Sequence, residues 1–80
     1  MPRRKVIQHP REHEAFCAFL KLLRESRGLT QAQVAQALNL SRPQYTALER
    51  GRSMLTFDHL CGLAAHYRVD LAHLMARKFS

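Results

Sequence analysis

Apolar positions recur along this chain at the spacing of a helix and nowhere settle into the two-residue alternation of a strand. Phe16, Leu20 and Leu23 fall at i, i+4 and i+7, with Phe19 and Leu22 beside them. This predicts a first helix from about residue 11 to Arg27 with a broad apolar face, stopped by Gly28 in a left-handed conformation. Phe57, Leu60, Leu63, Ala64 and Tyr67 form a similar stripe further on, opened by Thr56 as N-cap with Asp58 near the positive end of the helix dipole. Gly62 lies within that helix on the other face, at a cost of about 1 kcal/mol relative to alanine. Asp70 is placed to cap a final short helix whose inward residues would be Leu71 and Leu74, with Met75 either inward beside them or left outside the core.

Between these stripes lies the segment from Leu29 to Gly51, which reads as two short helices joined by a tight turn. Thr30 is followed three residues later by Gln33, and Ser41 by Gln44. Each pair is a capping box: the hydroxyl accepts an amide of the first turn, and the Gln reaches back to the N–H of the cap. Asn39 falls where the first of the two helices must stop, and Asn tolerates a left-handed backbone. Gly51 can end the second in the same way. On a wheel of about 100° per residue, Tyr45, Leu48 and Glu49 share one side, which can pack. Arg42, Pro43, Thr46, Ala47 and Arg50 share the other, which can face a partner. Arginine can bond a guanine edge in two places, and Thr and Ala can meet a thymine methyl, so this face suits a DNA major groove. An ordinary surface helix with solvated charges would give the same wheel.

The pairs Thr30-Gln31, Val34-Ala35, Leu40-Ser41 and Leu48-Glu49, together with Gly51, fall at the spacings of the helix-turn-helix family that includes the lambda-type phage repressors and Cro. Over about residues 16 to 75 the chain resembles an XRE-type regulator. The resemblance implies an all-α, five-helix lambda-repressor-like fold with the helix-turn-helix at helices 2 and 3, the second of these entering the major groove while the first lies across the backbone. It implies that Arg42, Pro43 and Ala47 take the principal base-reading positions, that Thr46 and Arg50 flank them, and that Gln31 binds a phosphate. It also implies a partly buried ion pair between Arg24 and Glu49, tying helix one to the end of the recognition helix. The chain departs from the family pattern at Asn39, where Gly is usual, at Tyr45, where Ile or Val is usual, and at Pro43, where a polar reader is frequent. Pro43 cannot hydrogen-bond a base, although proline in a first turn costs the helix little. Arg42 and Arg50 must carry more of the reading, with Arg52 nearby, and Gln44, already committed to a cap, is at best a phosphate contact.

Eighty residues allow one domain with a small core, a size at which dimerisation is useful. The formal charge of +7 implies an acidic partner, and double-stranded DNA is the natural one. The first eleven residues contain Arg3, Arg4, Lys5 and Arg11 with no acid. They read as a basic arm at 1–11 ahead of a domain at 12–80, either following phosphates or simply a solvated end. No apolar run approaches the ~18 residues of a membrane span and the start lacks a secretion signal, so the expected location is cytoplasmic and no membrane partner is expected. Cys17 and Cys61 fit that compartment as reduced residues.

The spacing of His9, His13 and Cys17 could align three metal ligands on one helix face, but His9 should precede the helix and Cys17 should face inward, so neither a metal nor any other cofactor is expected. No Ser, His and Asp set and no phosphate-cradling glycine loop occurs, which argues against an enzyme. The expected function is a sequence-specific DNA-binding regulator, such as a repressor, acting as a homodimer on a palindromic operator. Met54, Leu55, Met75 and Phe79 are candidate dimer residues, apolar without an assured place in the core. The competing reading is a protein-interaction adapter, or an antitoxin that binds a toxin through the same fold. RNA is disfavoured because Phe16, Phe19, Tyr45 and Phe57 look committed to the core rather than free for stacking.

Overall fold

Helix boundaries in this chain follow its capping residues. A computed structural model describes residues 7–77, and among these it contains five α-helices and no strand. They are α1 (Pro10–Ser26), α2 (Gln31–Ala37), α3 (Arg42–Glu49), α4 (Phe57–Tyr67) and α5 (Leu71–Met75). α1 opens on Pro10, whose missing N–H has no partner in a first turn in any case. Arg11, expected in the arm, therefore lies in helix. Gly28 follows the end of α1 at φ +67°.

Both expected capping boxes form. Thr30 Oγ1 accepts the Gln33 amide at 3.1 Å while Gln33 Oε1 accepts the Thr30 amide at 2.8 Å. Ser41 and Gln44 exchange the same two bonds at 3.2 and 2.8 Å. Asn39 takes the left-handed φ of +57° between them, and the Leu40 amide then reaches back to the Ala35 carbonyl at 2.9 Å.

Two features of the last helices escaped the sequence. Thr56 caps α4, and its partner in a third capping box is His59, whose Nδ1 accepts the Thr56 amide at 3.1 Å. α4 stops at Arg68, a non-glycine residue at φ +56°, with the Val69 amide bonded to the Ala64 carbonyl. Asp70 stands at the N-cap of α5, but its side chain caps no amide. Its exposed carboxylate points instead toward His73, with 3.9 Å between Oδ2 and Nδ1.

The core is drawn from every helix: Phe19, Leu20 and Leu23 of α1, Val34 and Ala35 of α2, Tyr45 of α3, Leu63, Ala64 and Tyr67 of α4, and Leu74 of α5. Leu22 and Phe57, expected in the core, lie outside it, and so does Met75, whose place the sequence leaves open. Leu22 is 56% exposed because α1 is covered on the side of Leu20 and Leu23 only. Phe57 is 70% exposed because it is the first residue of α4, before that helix reaches its neighbours, so it is not committed to the core. Met75, at the end of α5, is 51% exposed. Gly62 does not face open solvent: a Cβ there would lie 2.7 Å from Leu38 Cδ2, so α4 runs close against the end of α2 at this position. Cys17 is buried, Cys61 half-buried, and both are free thiols. Burial pushes the Cys17 thiol above its ordinary value.

Candidate nucleic-acid interface

The placement of α3 starts from a buried charge pair. Arg24 points inward from α1, and Glu49 is the last residue of α3. Arg24 Nε donates to Glu49 Oε2 at 2.8 Å and Nη2 donates to Oε1 at 2.9 Å, a two-pronged contact with both groups nearly out of water. The remaining prong, Nη1, donates to the Leu29 carbonyl at 2.8 Å, in the loop leading to α2. One guanidinium thus ties together the three elements that present the turn.

Burial works against the charge on Glu49, yet the bonds from Arg24 and Gln31, with the Tyr45 hydroxyl close by, outweigh it and hold the carboxyl below its ordinary value. The Arg24 guanidinium is correspondingly raised, chiefly by its bond to Glu49. Burial pushes the Tyr45 hydroxyl far up and the Tyr67 hydroxyl to about 12, so both stay neutral. The Tyr45 hydroxyl acts on the carboxylate from outside the geometry of a direct hydrogen bond.

From this buried pair a chain of side chains runs to the surface. Gln31, at the start of α2, donates from Nε2 to Glu49 Oε1 at 3.3 Å, and Thr46 of α3 donates its hydroxyl to Gln31 Oε1 at 2.9 Å. Gln31 and Thr46 are both half-buried. They form the floor of a recess of about 360 Å³ whose other lining residues are Arg42, Pro43, Ala47, Arg50 and Arg52. No acidic residue lines it. Arg42, Arg50 and Arg52 are exposed, and none of them takes part in an ion pair among the described residues. Gln44 is exposed and outside the recess, held by its cap.

A second concavity, of about 640 Å³ and mainly apolar, opens between the start of α1, the loop after α3 and the end of α5. Met54, Leu55 and Met75 line it with Ile7, Phe16 and Leu60. Phe79 lies outside the described residues, as do residues 1–6 of the basic arm. His9 and His13 border this groove, while Cys17 is buried in the body of the domain. Among the described residues no three His, Cys, Asp or Glu side chains converge on a point where a metal could sit.

The sequence did not reveal the bridging position of Gln31. The available signal was the i, i+3 spacing of Thr46 and Glu49, which puts both on the edge of α3 that faces the start of α2.

A family model described as a helix-turn-helix domain matches residues 15–77, and the chain belongs to that family. No similar curated protein and no similar solved structure is found. Membership points to DNA binding and, through it, to regulation of transcription; such domains are typically not enzymes. No helix among the described residues is long and apolar enough to cross a membrane.

Proposed function

We propose that this protein is an XRE-type, sequence-specific binder of double-stranded DNA that regulates transcription from the cytoplasm as a homodimer on a palindromic operator. The observation that carries the reading is the recess on α3: three exposed arginines, without acidic partners among the described residues, surround small and amide side chains. Arg42 and Arg50 read base edges, Pro43 and Ala47 supply apolar contacts to thymine methyls, and Arg52, Gln44 and the second amide hydrogen of Gln31 serve phosphates. The basic residues of the arm add phosphate contacts and steepen the salt dependence.

Dimerisation would use the apolar groove, which brings together Met54, Leu55 and Met75, with Phe79 close in sequence. A dimer over a promoter acts as a repressor by excluding polymerase. The same groove supports a second reading, in which a toxin or other protein partner occupies it and the chain is an antitoxin or adapter.

Selection from a random duplex pool at near-physiological salt tests the first reading. A palindromic winner is expected, bound at least about a thousandfold more tightly than a scrambled duplex. Arg42→Ala should cut affinity for the winner by about 1–3 kcal/mol while leaving thermal unfolding unchanged. Equal binding to both duplexes, vanishing as salt rises, would replace this reading with the adapter.

A further inference from the structure

We infer that Thr46 is a directional reader of bases: it presents only hydrogen-bond acceptance to the groove and selects a base carrying an exocyclic amino group, adenine or cytosine, over one carrying a keto oxygen. The inference rests on the DNA-binding reading above and adds to it the chemistry of one contact.

The direction is set deep in the molecule. Both oxygens of Glu49 are engaged by Arg24, which keeps the group an ionised carboxylate, and an ionised carboxylate can only accept. The Gln31 amide must therefore turn its NH₂ toward Glu49, since its oxygen would meet another acceptor there. That leaves Gln31 Oε1 facing Thr46, and an amide oxygen can only accept. The single proton of the Thr46 hydroxyl is consequently drawn inward, across 2.9 Å, and what remains at its oxygen is lone pairs. Thr46 lines the recess between Arg42 and Arg50, so those lone pairs are available to a base edge lying there.

An isolated threonine would rotate its hydroxyl to suit either partner. Here donation outward would strand the Gln31 oxygen. In the major groove, adenine N6 and cytosine N4 are donors, whereas guanine O6 and thymine O4 are acceptors that would meet the lone pairs of Thr46 unfavourably. Ala47, one position on, is left to meet a thymine methyl.

The test uses the selected duplex with each adenine replaced in turn by purine and each cytosine by 2-pyrimidinone, analogues that lack the amino group. Wild type and Thr46→Ser, which keeps the hydroxyl, should each lose about fivefold in affinity at one base pair per half-site, the worth of one neutral hydrogen bond. Thr46→Val, of the same shape, should bind both versions of that base pair equally, with thermal unfolding checked to confirm that it folds. The inference is overturned if no amino group matters more to wild type than to Thr46→Val, or if the position nearest Thr46 selects guanine or thymine. In those outcomes a duplex bound specifically, and lost with Arg42→Ala, leaves the DNA-binding reading standing. A wild type that selects no duplex removes both.

Discussion

Arg24 and Glu49 show how much can hang on one pair of side chains. Neither touches the recess, yet together they fix where α3 ends, where the loop to α2 runs and how Gln31 is turned. Removing the charge of Glu49 leaves a buried guanidinium without its counter-ion, so Glu49→Gln should destabilise the fold by about 3–5 kcal/mol at neutral pH, read from urea unfolding. Acid should weaken the same contribution in the wild type. The Glu49 carboxyl is held below its ordinary value of 4.5, so its contribution is complete above that pH and disappears as pH falls through the lower, folded value. The gap in unfolding free energy between wild type and Glu49→Gln should narrow as pH falls below 4.5; a gap that stays constant from pH 6 to pH 3 would contradict the assignment. The resemblance alone pointed to this pair in the sequence. The spacing of Thr46 and Glu49 puts both on one edge of α3, but it could not place Gln31 between them, because residues 15 and 18 positions apart meet only once two helices have packed.

At the scale of elements, the caps were the most legible part of the chain. A capping box needs two side chains three residues apart and nothing else, so Thr30 with Gln33 and Ser41 with Gln44 were visible before any packing. The third box was half visible, since Thr56 is an ordinary cap but His59 is an unusual partner. The end of α4 was not visible, because Arg68 carries no mark of the left-handed conformation it adopts. That conformation is strained for any residue with a Cβ. Arg68→Gly should therefore raise stability by about 0.5–1 kcal/mol, the relief of strain exceeding the extra freedom glycine gains when unfolded. Thermal unfolding measures it, and an unchanged or lower midpoint would mean that the Arg68 side chain contributes more than its backbone costs.

For the whole molecule the question is which surface meets which partner. The exposed arginines and the apolar groove are separate concavities with no lining residue in common, so one can engage DNA while the other is occupied. Met75, half exposed on the short α5, is the groove residue whose change should disturb the core least. Met75→Glu should leave the helical content intact, shift sedimentation from dimer toward monomer and weaken operator binding. Were the dimer constant unchanged, the groove would be free for a different protein. The charge of +7 favours an acidic partner for the chain as a whole without saying where it binds. The recess, lined by three arginines, is the place proposed for it.

What the sequence by itself determined was local: the capping boxes that open α2 and α3, which face of α3 is apolar, and the helices with the turn between α2 and α3. These depend on residues within four positions of one another, and short-range hydrogen bonding and periodicity settle them. What only the tertiary structure decided was which apolar residues stay outside the core and which polar ones are joined across helices. Leu22, Phe57 and Met75 carry the same apolar character as Leu20, Leu63 and Leu74, and only the positions of neighbouring helices separate the two sets. The chain from Arg24 through Glu49 and Gln31 to Thr46 exists because three helices converge there, and the direction of its hydrogen bonds follows from a charge buried at one end.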